Sequence, residues 1–261
     1  MSSLLHYVKH GSKSKVLLCF HGFGQEHGLW KNYLELLSDD YTIYLFDIFY
    51  HGKSTRLANY LSKDEWNQEI QEFLKKENID RFSLLGFSLG GRFCLASYID
   101  FHHKIDRMVL LAPDGIHRSF WYRLANSFLG NRLFKYLMYT PEKFERFVNV
   151  FKGTGIVRQS LIKFAERELG TMHDKDKVYK TWTYFSSLQV APILWQQLSK
   201  EHANEILIIL GKQDSIVRPQ DIKAQILKAS NISLIEIEGK HHHVVENAKV
   251  LVTSFMRRTI S

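Results

Sequence analysis

The sequence predicts an α/β protein with a doubly wound, mostly parallel sheet and a helical segment inserted late in its winding. Three observations predict it. Apolar runs recur without the polar alternation of a half-exposed sheet, as in strands covered on both faces. Stretches with helical periodicity lie between them. The alternation stops over residues 115–200 and then resumes.

Residues 4–10 read as a short edge strand, and Val16-Leu17-Leu18-Cys19-Phe20 as a buried one that ends in His21-Gly22-Phe23-Gly24. Residues 41–47 form a second buried run and lead into Tyr50-His51-Gly52-Lys53-Ser54. A helix from about 63 to 77 places Trp66, Ile70, Phe73 and Leu74 on one face. Phe82 to Leu85 is the next strand, followed by Gly86-Phe87-Ser88-Leu89-Gly90 and a helix, and then by a strand from Arg107 to Pro113. After the insertion, strands follow at 205–211 and 232–237. Each precedes a helix, one with Pro219 in its first turn and one running from Val244 to Arg257. The expected organisation is a split core, residues 1–114 and 201–261, with a helical cap at 115–200.

Composition narrows the function classes. At 261 residues and 45% hydrophobic content, the chain can bury a sizeable core. Cys19 and Cys94 fall in separate apolar segments and read as buried reduced thiols, with no disulfide framework. The first residues lack the apolar core of a secretory signal, and no apolar run approaches a membrane span, so a soluble cytoplasmic protein is expected. The net charge of +8 is concentrated in one segment. Residues 115–200 hold 14 Lys+Arg against 6 Asp+Glu, a net of +8, while the rest holds 21 of each sign. No nucleic-acid motif accompanies these cations, and no nucleic-acid partner is expected.

The chemistry centres on Ser88. Strand, sharp turn and helix around Gly-x-Ser-x-Gly are what a nucleophile elbow requires. Such a turn lifts the hydroxyl above the strand end and leaves the amide of Leu89 at a helix N-terminus, where it can donate to an oxyanion. Glycine suits positions 86 and 90 because a side chain at either would strike the neighbouring strand or helix.

Together these stretches resemble the α/β-hydrolase family, in the form with a helical cap, over the whole chain except the cap. The resemblance implies that His21-Gly22-Phe23-Gly24 supplies the second oxyanion donor, the amide of Phe23, beside that of Leu89. It implies that Asp47-Ile48-Phe49-Tyr50-His51-Gly52-Lys53-Ser54 is the family's structural Asp-x-x-Gly-His-Gly-x-Ser turn, with Tyr50 in place of a glycine. It places the catalytic acid at Asp214 in Gly211-Lys212-Gln213-Asp214, with Asp114 as the alternative because it too ends a strand on the catalytic side. It places the base within His241-His242-His243. Counting forward from Gly239 gives His242, and counting back from Glu246 gives His241. We take His241, with His242 as the alternative.

A serine hydroxyl becomes a nucleophile when an imidazole accepts its proton, and a carboxylate on the far nitrogen holds that imidazole in register. The expected function is cleavage of a carboxylic ester or thioester through an acyl-enzyme on Ser88, without cofactor or metal. No metal site is expected at His241–His243, since no other ligand cluster has suitable spacing. Two alternatives stand. A C–C bond hydrolase of the ring-cleavage-product type would usually carry a tryptophan after the histidine, and neither His241 nor His242 has one. A non-catalytic binding module would not need an intact Ser, Asp, His set. Trp30 reads either as a pocket residue or as a packed aromatic, and Gly153-Thr154-Gly155 as a turn.

The cap joins its cations to aromatics: Phe120, Trp121, Phe128, Phe134, Tyr136, Phe144, Phe147 and Phe151. Its first helical stretch, Arg118 to Met138, is expected to break near Gly130-Asn131. A basic helix with an aromatic face suits weak contact with anionic lipid, set against a plain lid whose cations are merely solvated.

Overall fold

The computed structural model describes residues 5–151, 169–202, 205–226 and 232–258, with the side chains at 120, 121, 151 and 202 outside that description. The sequence turn at Gly153-Thr154-Gly155 lies outside the described residues.

Seven strands form one sheet in the order β1-β3-β2-β4-β5-β6-β7. They are β1 (Tyr7–His10), β2 (Lys15–Phe20), β3 (Tyr41–Phe46), β4 (Phe82–Phe87), β5 (Ile105–Leu111), β6 (Glu205–Gly211) and β7 (Ile232–Ile237). Strand β1 runs antiparallel to β3, and the other pairs are parallel. All residues of β3 and β4 are buried, which is why both segments read as unbroken apolar runs.

The helices in chain order are α1 (Lys31–Leu37), α2 (Lys63–Lys76), α3 (Leu89–Phe101), α4 (Phe120–Ala125), α5 (Phe128–Tyr139), α6 (Pro141–Phe151), α7 (Met172–Tyr184), α8 (Pro192–His202), α9 (Pro219–Ile226), α10 (Val244–Asn247) and α11 (Lys249–Arg257). A capping box fixes the start of α2: Ser62 Oγ accepts the Glu65 amide at 3.1 Å, and Glu65 accepts the Ser62 amide at 2.7 Å. Among the described residues, no helix is long and apolar enough to cross a membrane.

Three boundaries differ from expectation. The helix expected from Val244 to Arg257 is divided at Ala248, beside Asn247, whose side-chain Nδ2 donates to the Glu238 carbonyl at 2.8 Å. The first cap helix breaks at Asn126-Ser127, not near Gly130. Ser127 caps α5 by accepting the Gly130 amide at 3.2 Å, and Gly130 lies inside the helix. A Cβ on Gly130 would stand 1.9 Å from the Leu124 carbonyl oxygen, so this glycine permits close approach of α4. Helix α1 was not foreseen; it buries Tyr33 and Leu37.

The chain divides into two compact units. One comprises Met1–Leu57, Ser62–His117 and Leu188–Ser261, and carries the sheet. The other comprises Ala58–Leu61 and Arg118–Ser187. Helix α8, expected in the cap, belongs to the sheet unit, where Trp195 and Ser199 are fully buried. Residues 58–61, expected in the core, belong to the helical unit, where the Leu61 amide donates to the Tyr184 carbonyl at 2.9 Å. Within that unit Phe134 of α5 packs its ring against Tyr179 and Trp182 of α7, and the Tyr179 hydroxyl donates to Asn131 at 3.0 Å.

Candidate active site

The chain winds from β2 to β3 on one side and returns to β4 on the other. The switch point therefore lies between β2 and β4, and ligands of open α/β sheets bind beyond the strand ends there. The segment 21–24 leaves β2 at that place, and Ser88 leaves β4.

Ser88 has φ 50° and ψ −114°, in a region that L-residues rarely occupy. Its surroundings hold it there. The Ser88 amide donates to the Leu111 carbonyl at 2.9 Å, and the Ser88 carbonyl accepts from Gly91 at 2.9 Å and Asp114 at 2.8 Å. The glycines allow the turn to close. A Cβ on Gly90 would lie 2.0 Å from the Phe20 carbonyl oxygen, and one on Gly86 would lie 2.6 Å from Cys94 Sγ. Cys94 and Cys19 are buried, unpaired thiols, and burial pushes both pKa values up, so neither is a nucleophile at neutral pH.

His241 Nε2 lies 2.9 Å from Ser88 Oγ, and its Nδ1 lies 2.6 Å from Asp214 Oδ2. A carboxylate can only accept here, so Nδ1 carries the proton and Nε2 is left to take the serine's. The Asp214 side chain is fully buried and its other oxygen, Oδ1, accepts the amides of Ile216 at 2.8 Å and Val217 at 2.9 Å. The ring of Phe87, at the end of β4, lies 5.1 Å from that of His241.

The alternatives fall elsewhere. His242 is exposed, and its ring lies against that of His243 at 4.0 Å. Asp114 is ion-paired with the buried Arg92. Trp30 is a core residue, fully buried with its ring edge-on to Tyr33 at 5.4 Å.

Leu89 and Phe23 flank Ser88 and the β2 end. The loop around Phe23 is held by two neutral imidazoles. His21 Nε2 accepts the Ile48 amide at 2.9 Å while Nδ1 donates to the Gly22 carbonyl at 2.7 Å. His51 Nε2 accepts the Gly24 amide at 3.0 Å while Nδ1 donates to the Phe49 carbonyl at 2.9 Å. Gln25 accepts the Gly22 amide at 3.1 Å.

The 47–54 turn is built on Asp47. Its carboxylate accepts the amides of His27 and Lys53 and the Nδ1 atoms of His27 and His6, all at 2.8–3.0 Å. Burial would raise its pKa, but these donors outweigh burial and lower it. A Cβ on Gly52 would lie 2.2 Å from that carboxyl group. Tyr50 has φ 68°, which explains why the resembling pattern has glycine there; its hydroxyl bonds the Leu57 carbonyl at 2.6 Å. Among the described residues, His6, His27 and Asp47 form a group whose ligand atoms lie within 4.8 Å of one another. The carboxylate's four hydrogen bonds account for that convergence without an ion.

The sequence reading missed the ties between the acid and base loops. Gln213 Oε1 accepts the Gly239 amide at 2.6 Å, and Gln213 Nε2 donates to Glu238 at 2.6 Å. Lys212 pairs with Glu238 at 2.5 Å. These contacts span 25 or 26 residues, beyond any local pattern.

A parallel sheet whose middle strand ends in a strained serine, beside an imidazole and a buried carboxylate, defines the α/β-hydrolase class. The chain belongs to that family: the family's sequence profile, described as alpha/beta hydrolase fold, matches residues 15–248. The chain is 32% identical over 111 residues to 1-acylglycerol-3-phosphate O-acyltransferase ABHD5 of Rattus norvegicus, covering 41% of this chain and 32% of that protein. It is 31% identical over 103 residues to (lyso)-N-acylphosphatidylethanolamine lipase of Homo sapiens, covering 38% of this chain and 30% of that protein. The match thus spans about a third of the length of these curated relatives. A thermophilic esterase from Thermogutta terrifontis superposes with a TM-score of 0.69 at 15% identity, covering 97% of this chain and 93% of that one. A meta-cleavage product hydrolase from Pseudomonas fluorescens IP01 gives 0.66 at 20% identity, with the same coverage. At these identities the likeness carries the fold alone.

Proposed function

We infer that the protein is a serine hydrolase that cleaves a carboxylic ester or thioester through an acyl-enzyme on Ser88. The observation that carries this reading is the unbroken relay from Ser88 Oγ through His241 to the buried Asp214.

His241 Nε2 accepts the hydroxyl proton as Ser88 Oγ attacks the substrate carbonyl carbon. Asp214 stabilises the resulting imidazolium through the Nδ1 proton. The amides of Phe23 and Leu89 are the assigned donors to the tetrahedral oxyanion, each worth about 3 kcal/mol. His21, His51 and Gln25 fix the Phe23 loop, so the donors need not reorganise as charge develops. The imidazolium then protonates the departing alcohol or thiol. Water attacks the acyl-Ser88 ester as His241 takes its proton, and the imidazolium returns that proton to Ser88 Oγ as the C–Oγ bond breaks and the carboxylic acid leaves. No metal or cofactor enters any step.

Two of the relatives are named as a lipase and an acyltransferase, both acting on acylated lipids. That favours acyl chemistry over C–C bond cleavage, as does His242, and not tryptophan, after His241. The test is labelling with a fluorophosphonate probe followed by peptide mass mapping. The reading requires a single adduct on Ser88. An intact, folded protein that takes no label would favour the non-catalytic binding module.

A further inference from the structure

Among the described residues, the packing of the helical unit leaves an apolar face of α5 exposed. Helix α5 turns Phe134 and Met138 inward, with Phe134 against α7 and Met138 only 3% exposed. At 100° per residue, the exposed side chains of α5 spread over an arc of roughly 160°. On that arc Phe128 is 77% exposed, Leu129 73%, Leu133 52% and Tyr136 53%. Large apolar groups at such exposure, grouped on one helix, are not the scattered surface residues of an ordinary monomer.

Charge identifies what covers them. Arg132 lies within that arc, between Phe128 and Tyr136, and Lys135 at its edge, and the Arg132 guanidinium sits 5.1 Å over the Phe128 ring. Between Asp114 and Glu142 the chain has no acidic residue, but it has Arg118, Arg123, Arg132 and Lys135. Asp176, which bonds the Tyr139 hydroxyl at the end of α5, is paired with Lys180 at 3.0 Å.

We propose that the outer face of α5 docks on the surface of an anionic phospholipid bilayer, with Phe128, Leu129 and Leu133 inserted and Arg132 and Lys135 at the phosphate level. A second copy of the chain is the poorer occupant, because a two-fold contact would set these cations against their own kind. Headgroup phosphates neutralise them, and the acyl boundary takes the apolar side chains. The face lies outside the Ser88 relay, and the proposal stands whether or not Ser88 is a nucleophile.

The experiment is flotation of the full chain with vesicles of phosphatidylcholine, with and without phosphatidylserine, from low to high salt. The protein is expected on the phosphatidylserine vesicles at low salt and to leave them as salt rises, because the Debye length falls to about 8 Å at physiological ionic strength. Arg132→Glu with Lys135→Glu should weaken binding by about tenfold or more, and Phe128→Ser with Leu133→Ser should do the same. Ser88→Ala should bind like the wild type, which separates this result from any failure of the hydrolase reading. Both surface variants should keep the wild-type thermal unfolding temperature and any hydrolysis of a soluble short-chain ester. Absence of the wild type from phosphatidylserine vesicles at low salt would overturn the proposal. So would equal binding by the charge-reversed variant, or a dimer in light scattering that Phe128→Ser dissociates.

Discussion

Gln213 is hydrogen-bonded to Gly239 across the gap between the two loops that carry Asp214 and His241, with Oε1 accepting the Gly239 amide at 2.6 Å. In return the Gln213 amide donates to the Gly239 carbonyl at 3.1 Å. The loops that carry Asp214 and His241 are therefore stitched together by a residue that touches neither Ser88 nor His241. Gln213→Ala removes the side-chain half of the stitch and leaves Gly239 without that acceptor. We predict a fall in kcat of about tenfold with KM changed by less than about twofold, since only the relay geometry is disturbed. An equal loss in kcat and in unfolding temperature, restored by stabilising solutes, would make Gln213 a purely structural residue.

The two neighbouring histidines separate cleanly. His241→Ala removes the group between Ser88 and Asp214 and should lower kcat by about four orders of magnitude. His242→Ala alters an exposed side chain and should cost about tenfold or less. Steady-state kinetics on one activated ester distinguishes them, and the reverse ranking would move the base by one residue.

The two candidate acids separate by the same measurement. Asp214→Asn should reduce kcat by about 10⁴-fold, because the amide presents the wrong partner to Nδ1. Asp114→Asn weakens the ion pair with Arg92 and should show mainly in thermal unfolding. A wild-type kcat for Asp214→Asn would return the acid to an open question.

Much of this was readable in advance. Strands such as Val16–Phe20 and Tyr41–Phe46 declare themselves because burial on both faces leaves a continuous apolar run. Ser88, Asp214 and His241 are legible because each follows a strand in a fixed order, and a strained turn demands glycines at 86 and 90. The choice between His241 and His242 rested on Glu246, which lies in α10 and accepts from Asn32 at 3.1 Å. What stayed hidden depends on distant partners. Arg92 is 2% exposed and ion-paired with Asp114, a partner 22 residues away that no local pattern reveals. Gly130 reads as a helix breaker, and only the nearness of Leu124 shows that it is a packing glycine. Trp30 has no local pattern that distinguishes a core aromatic from a pocket wall.

Acid sensitivity has an identifiable source at the edge of the sheet. Glu77 accepts from Tyr44 at 2.7 Å, Tyr7 at 2.8 Å and Lys9 at 3.0 Å. Burial alone would raise its pKa, but these donors prevail and bring it from 4.5 down to about 2. A carboxylate with a depressed folded-state pKa contributes stability that is fully present above its unfolded value and is lost as pH falls through the folded one. Wild type should therefore exceed Glu77→Gln in thermal unfolding temperature at pH 7, and the gap should close between about pH 4.5 and about pH 2. A gap independent of pH would show that the carboxylate charge contributes nothing.

The central claim is that Ser88 carries the acyl group, and Ser88→Ala tests it most directly. The measurement is the turnover of a p-nitrophenyl ester by this variant beside the wild type, with thermal unfolding of both as the control for folding. The account predicts hydrolysis reduced by at least about 10³-fold at an unchanged unfolding temperature. Turnover within a few-fold of the wild type, by a folded Ser88→Ala protein, would contradict it.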